Sequence, residues 1–108
     1  MQASTSNKGP ALVTGASSGI GAVFAKKLAG RGHGLILVAR RRDRLESLAG
    51  ELSERFGVAA EVVAADLADP TDLERLEQLI RERTDLEFLV NNAGFGTAGR
   101  FQYVALSK

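Results

Sequence analysis

Short runs of apolar residues alternate along the chain with longer segments in which apolar residues recur every three or four positions. An unbroken apolar run predicts a strand that is buried on both faces, as in a parallel sheet. Recurrence with a period near 3.6 residues predicts a helix with one apolar face. The runs that we interpret as strands occupy residues 11–13, 35–39, 61–65 and 88–90. The pattern therefore predicts the order β-α-β-α-β-α-β.

The three helical segments carry apolar stripes and have recognisable ends. We expect the stripes to face the sheet, and they consist of Ile20, Val23, Phe24 and Leu28, then Leu45, Leu48, Ala49, Leu52 and Phe56, and then Leu73, Leu76 and Ile80. Gly57 is placed to end the second helix. Asp69 and Pro70 predict the start of the third, because Asp caps helix N-termini and Pro suits the first helical position.

Single helices between successive strands predict an α/β fold with a parallel sheet and right-handed crossovers. We expect the strand order 3-2-1-4, which is one half of a doubly wound sheet with one strand past its switch point. The predicted organisation is a flexible polar leader at 1–9, a half-domain at 10–101 and an irregular C-terminal tail at 102–108. Strand 4 would then have an open edge, so we expect a chain that is truncated before the rest of its sheet.

Composition narrows the classes of function. A net charge of +1 gives no sign of a nucleic-acid partner. With no cysteine and the single His33, thiolate metal sites are excluded and no metal site is expected. No apolar run approaches the roughly 20 residues that a membrane span needs, and the leader lacks the apolar core of a signal peptide. We therefore expect a cytoplasmic protein with no membrane partner.

A glycine-rich turn, TGASSGIG at residues 14–21, joins the first predicted strand to the first helix. Gly15 permits a tight turn, Gly19 removes a side chain where the backbone must approach a pyrophosphate, and Gly21 lets the helix pack closely on the sheet. The free N–H groups of the helix N-terminus then face the phosphates, and two serines add hydroxyl donors. The predicted contacts are Gly15, Ser17, Ser18, Gly19, Ile20 and Gly21. This arrangement is typical of a dinucleotide site in a partial Rossmann fold.

Three motifs in order resemble those of the short-chain dehydrogenase/reductase family: the glycine turn, Asp66-Leu67 after strand 3, and residues 91–94 (NNAG) after strand 4. The resemblance covers about residues 10–101. It implies a nicotinamide-dependent oxidoreductase that acts on a small carbonyl or alcohol substrate, and often a homo-oligomer. It also implies that Asp66 accepts from the adenine amino group beside the Leu67 backbone, and that Asn92, Ala93 and Gly94 border the ribose and pyrophosphate.

The end of strand 2 indicates which cofactor binds. A carboxylate there would hold the ribose diol of NAD(H), whereas an arginine accommodates the 2′-phosphate of NADP(H). The sequence places Arg40 and Arg41 at this point and no carboxylate, while Asp43 should lie on the following helix. A planar guanidinium suits both stacking on adenine and bonding to phosphate. We therefore expect Arg40 and Arg41 to bind NADP(H) in preference to NAD(H).

The catalytic residues that the resemblance implies, a Tyr with a Lys four residues on and a Ser upstream, are not matched. The chain offers Tyr103 and Lys108, and their spacing of five places them about 140° apart on a helix. We therefore assign no catalytic residue and expect cofactor binding without turnover.

Two other classes of function remain open from the sequence. One is a non-catalytic dinucleotide-binding or regulatory module. The other is an interaction domain without cofactor that dimerises through the exposed sheet edge. A methyltransferase of similar fold is disfavoured, because Arg40 stands where such enzymes usually carry an acidic residue for a ribose diol.

Overall fold

The computed structural model of the chain describes residues 8–17, 19–91 and 102–105. Its elements in chain order are β1 (Lys8–Thr14), α1 (Gly19–Gly30), β2 (His33–Ala39), α2 (Arg42–Phe56), β3 (Ala60–Ala64), α3 (Pro70–Glu82), β4 (Phe88–Asn91) and β5 (Gln102–Ala105). The strands lie in the order β3-β2-β1-β4-β5. Neighbours among the first four are parallel. The predicted parallel sheet of order 3-2-1-4 is confirmed.

Helices cover both faces of this sheet. On one face α1 and α2 pack against Val13 and Leu37, whereas on the other face α3 packs against Leu12 and Ile36. Successive side chains of a strand point to opposite faces, so β1 and β2 bury every residue at their centres. That double burial explains why these strands are unbroken apolar runs in the sequence.

Two predicted helix ends are confirmed. Gly57 follows α2 with a φ of 71°, and its N–H donates to the carbonyl of Ser53. Asp69 precedes α3, its carboxylate accepts from the N–H of Thr71 at 2.9 Å, and Pro70 is the first helical residue.

The predicted apolar stripe of α1 is wrong at two positions. Ile20 and Val23 are 56% and 51% exposed, and the buried residues of the helix are Gly21, Ala25, Leu28 and Ala29. Small side chains let the helix axis approach the sheet, so α1 packs on Gly21, Ala25 and Ala29 together with Leu28, and not on Ile20 or Val23.

Two segment boundaries also differ from the prediction. β1 begins at Lys8, within the stretch that we assigned to the leader. Gln102–Ala105, predicted to be irregular, forms β5 and pairs antiparallel with β4, with Phe88 opposite Ala105 and Asn91 opposite Gln102. An unpaired strand edge offers a row of backbone donors and acceptors, and β5 occupies it. The expected open edge of β4 is therefore covered.

No helix within the described ranges is long and apolar enough to cross a membrane.

Candidate functional site

The register of the sheet brings four chain segments to one edge. Thr14 is paired with Val38 and with Asn91, and Ala39 is paired with Ala64. The strands therefore end side by side, and the turns that follow β1, β2 and β3 leave the sheet together. In open parallel sheets, ligands bind outside this carboxyl edge.

The glycine turn after β1 has the backbone that its sequence predicts. Gly15 and Gly19 have φ angles of 63° and 55°, in a region of backbone conformation that residues other than glycine rarely adopt. Apart from its neighbours along the chain and its own helix, no described residue has an atom within 4 Å of a Cβ built on Gly19, so the start of α1 is open on this side with respect to the described residues. Gly21 is buried against the sheet. Ser17 is partly buried in the same turn.

Hydrogen bonds from the glycine turn reach both neighbouring strands. The N–H of Ala16 donates to the carbonyl of Val38 in β2 at 3.2 Å. On the other side, the buried hydroxyl of Thr14 donates to the carbonyl of Val90 in β4 at 3.4 Å. The position of the turn relative to the sheet is thus set by bonds on either side.

The arginines after β2 differ in their partners. The guanidinium of Arg41 lies 3.4 Å from the Asp43 carboxylate and that of Arg42 lies 3.6 Å from Glu46. The hydrogen bond from Arg41 lowers the pKa of Asp43 below its usual range. Arg40 is exposed, and it has no ion pair within the described residues. The side chain of Arg41, although at the N-cap, makes no capping bond to α2.

The turn after β3 is closed by hydrogen bonds around Asp66. One carboxylate oxygen, Oδ1, accepts from the N–H of Ala68 at 3.0 Å, and the Asp66 carbonyl accepts from the N–H of Asp69 at 2.9 Å. The other oxygen, Oδ2, has no partner in the part of the chain that the structure describes. The side chain of Leu67 is 8% exposed and packs in the core with Leu12 and Ile36.

Asp72, in the first turn of α3, is a member of this site that we did not predict. Its Oδ2 accepts from the N–H of Asp66 at 2.8 Å, and its Oδ1 accepts from the guanidinium of Arg75 at 2.8 Å. These two bonds, first that from Arg75, hold the pKa of Asp72 below its usual range. The sequence feature that could have identified Asp72 is its position three residues after the N-cap Asp69, where acidic side chains often reach back to the preceding turn.

Several predicted site residues are not among those that the structure describes. Ser18, Asn92, Ala93 and Gly94 lie outside the described residues, as does Lys108. Tyr103 lies in β5, opposite Val90, and so belongs to a strand rather than to a helix.

The carboxyl edge thus offers groups that suit an anionic ligand. The first N–H groups of a helix, with the positive end of its dipole, attract phosphates. Arg40 adds a cation that has no counter-charge among the described residues, and Asp66 adds an acceptor. Across the described ranges, no group of three or more His, Asp or Glu side chains is arranged to hold a metal ion.

A parallel sheet of order 3-2-1-4 with a glycine turn at its carboxyl edge defines a Rossmann-like α/β protein. A family model described as short chain dehydrogenase matches residues 10–108. The chain belongs to this family.

Known proteins agree with this assignment. A very-long-chain 3-oxoacyl-CoA reductase of Anas platyrhynchos is 39% identical over 84 residues, which are 78% of this chain and 27% of that protein. The chain thus spans about a quarter of the length of this curated relative. A short-chain dehydrogenase of Sphingobium yanoikuyae, in complex with NADPH, is 48% identical with a TM-score of 0.74, over 75% of this chain and 32% of that one. A bulky-bulky ketone specific alcohol dehydrogenase of Comamonas testosteroni is 47% identical with a TM-score of 0.80, over 86% and 37%.

Proposed function

We propose that the chain binds NADP(H) at the carboxyl edge of its sheet and forms the cofactor site of an oxidoreductase that transfers hydride between NADP(H) and a carbonyl or alcohol substrate. The observation that carries this proposal is Arg40, an exposed cation at the end of β2 with no ion pair within the described residues. A cation beside the N-terminus of a helix is disfavoured by the helix dipole, and a bound phosphate would relieve Arg40 of this repulsion.

The residues of the edge fit the parts of a dinucleotide. The open approach to Gly19 admits a pyrophosphate to the N-terminus of α1, with Gly15, Ser17 and the Ile20 backbone beside it. The free Oδ2 of Asp66 is an acceptor for the adenine amino group, next to the Leu67 backbone. The nicotinamide of the bound cofactor supplies the hydride chemistry, whereas these residues bind and orient the adenine half.

The preference for NADP(H) over NAD(H) follows from what stands at the end of β2. The first carboxylate after it, Asp43, lies in α2 and is engaged by Arg41, so it is poorly placed to hold a ribose diol. Arg40 is free to form charge-assisted bonds to a 2′-phosphate, each of which contributes roughly 1.5–3 kcal/mol. The similar Sphingobium yanoikuyae dehydrogenase is an NADPH complex, which supports this preference.

Catalysis by the 108-residue chain is not part of the proposal. Tyr103 and Lys108 lack the spacing of the family pair, and Tyr103 lies on a strand. We expect the chain to bind the cofactor and to leave carbonyl substrates unreduced. Carbonyl reduction by the purified chain that Tyr103→Phe abolishes would overturn this expectation.

Calorimetric titration with NADPH and then NADH tests the proposal, using wild type, Arg40→Asp and Arg31→Asp. Arg31 follows α1 near the opposite edge of the sheet, so its variant matches the change in net charge away from the site. We expect NADPH to bind about tenfold to a hundredfold more tightly than NADH. Arg40→Asp should remove this preference and Arg31→Asp should keep it.

Two outcomes of the titration would contradict the proposal. Unchanged NADPH affinity in Arg40→Asp would refute the phosphate role of Arg40. Failure of the folded wild-type chain to bind either dinucleotide would refute cofactor binding by this chain.

A further inference from the structure

Asp72 connects the start of α3 to the turn that carries Asp66. Its carboxylate divides between two donors: Oδ2 accepts from the Asp66 N–H and Oδ1 accepts from the guanidinium of Arg75, both at 2.8 Å. The Asp72 side chain is 25% exposed and that of Arg75 is 61% exposed. The bond to Asp66 is partly buried, whereas the bond to Arg75 is exposed.

The bond from Asp72 is not needed to cap α3. Asp69 already occupies the N-cap and accepts from the N–H of Thr71. Asp72 instead reaches six residues back along the chain, beyond its own helix, to the first residue of the turn after β3. Its bond therefore acts on the placement of Asp66.

Asp66 is held at three points, and its free oxygen is directed by them. Its N–H is bound by Asp72, its carbonyl by Asp69, and its Oδ1 by the N–H of Ala68. The preceding residue is tied to the neighbouring strand, since the N–H of Ala65 donates to the carbonyl of Ala39 at 2.9 Å. Because these bonds fix the backbone and Oδ1 of Asp66, they also set the direction of Oδ2, the oxygen that is available to a ligand.

We propose that Asp72 is a positioning residue that orients Asp66 toward the adenine amino group of the bound dinucleotide, with Arg75 holding the second oxygen of Asp72. This inference rests on the proposed function, because it concerns the adenine side of the same cofactor site. A carboxylate that must accept from one amino hydrogen needs its oxygen placed to within a fraction of an ångström. Loss of Asp72 therefore reduces recognition of the amino group more than it reduces binding of the phosphates.

The test compares NADPH with its hypoxanthine analogue, in which an oxo group replaces the adenine amino group. Calorimetry measures the affinity for NADPH divided by the affinity for the analogue. This ratio is measured in wild type, Asp66→Ala, Asp72→Ala and Asp69→Ala. We expect a wild-type ratio of about ten, because a hydrogen bond to a charged acceptor is lost with the analogue. Asp66→Ala and Asp72→Ala should both bring the ratio to about three or below.

Asp69→Ala is the matched control, since it removes a carboxylate from the same helix start without touching the Asp66 N–H. Its melting temperature should fall as that of Asp72→Ala does, while its affinity ratio stays at the wild-type value. If the ratio fell equally in both variants, Asp72 would have a structural role only and the inference would be overturned.

Two conservative variants keep the inference testable if Asp72→Ala does not fold. Asp72→Asn retains an oxygen that accepts from Asp66 and should keep most of the ratio. Arg75→Gln should reduce the ratio by less than Asp66→Ala does. A ratio in Asp72→Asn as low as in Asp66→Ala would contradict the positioning role.

The failure of the inference differs from the failure of the proposed function. If wild type binds NADPH and Asp72→Ala keeps the wild-type affinity ratio, only the inference is overturned. Wild type that binds no dinucleotide overturns both.

Discussion

The amino edge and the carboxyl edge of the sheet differ in how their polar groups find partners. At the amino edge, Nδ1 of the buried His33 lies 2.8 Å from the carbonyl oxygen of Gly9, so this nitrogen carries a hydrogen that it donates. The Arg83 guanidinium donates to both oxygens of Asp85 and to Glu61. At the carboxyl edge, by contrast, Arg40 and one oxygen of Asp66 have no partner within the described residues.

This contrast separates structural from ligand-binding polar groups. A group that is satisfied inside the protein contributes to folding, whereas an exposed group that is held in position without a partner is available to a ligand. Substitutions at the amino edge should therefore change stability without changing cofactor preference. Substitutions of Arg40 and Asp66, the groups without partners at the carboxyl edge, should change binding beyond any effect on stability.

The largest loss of stability is expected from Gly9→Ala at the amino edge. A Cβ there would overlap the carbonyl oxygen of Asp85 and lie 2.7 Å from Cγ of Glu87, so the backbone must shift. We expect a loss of about 1–3 kcal/mol in the free energy of unfolding, measured by urea denaturation. Gly50→Ala is the control, since outside its own helix no described residue has an atom within 4 Å of a Cβ at that helical position, and it should stabilise by about 0.5–1 kcal/mol. Equal stability of Gly9→Ala and wild type would refute the close packing.

Gly19→Ala should weaken binding more than folding. Its positive φ costs about 1 kcal/mol or slightly more for alanine, but the added methyl group also faces the open approach to α1. We expect NADPH affinity to fall by about tenfold or more beyond that of Gly57→Ala, measured by calorimetry beside thermal melts. Gly57 is a matched control because it has a similar φ and, among the described residues, no contact within 4 Å of an added Cβ, while it follows the C-terminus of α2, away from the carboxyl edge. Similar affinities of the two variants would show that Gly19 serves only the backbone.

Arg83→Met should cost about 0.5–1 kcal/mol of stability and leave the NADPH to NADH preference unchanged. Asp85, together with Glu61, raises the pKa of Arg83, which shows that the pair favours the charged form. The partner carboxylates are about half exposed, so the effect should shrink in high salt. Arg42→Met, which removes an exposed pair with Glu46, should cost less. A changed cofactor preference in Arg83→Met would contradict the separation of the two edges.

The smallest effect is a dependence of stability on pH at the carboxyl edge. Because the pKa of Asp72 is lowered in the folded protein, its stabilising contribution is present above its unfolded pKa of about 3.9 and is lost as pH falls through the folded value. Melting temperatures of wild type and Asp72→Asn should differ most near neutral pH and converge below about pH 4. A difference that stays constant down to pH 3 would contradict the role of the ionised carboxylate.

The order of the elements and two of the helix ends were predictable from local chemistry. Gly57 with its positive φ and the Asp69-Pro70 start have causes that lie within a few residues of each site. The carboxyl-edge position of Asp66 followed from counting strands. The buried face of α1 was not predictable in this way, because periodicity gives most weight to large side chains such as Ile20, whereas the packing depends on how closely the small Gly21 approaches the sheet.

By itself, then, the amino-acid sequence determined the alternation of strands and helices, the parallel sheet of order 3-2-1-4 and the clustering of motifs at one edge. Apolar periodicity and turn chemistry act over short distances, and the handedness of crossovers restricts the rest. Only the tertiary structure decided that β5 pairs with β4, that Arg41 rather than Arg40 is engaged by a carboxylate, and that Asp72 holds the Asp66 turn. Each of these depends on distances and directions in space, because several partners compatible with the sequence compete for the same donor or acceptor.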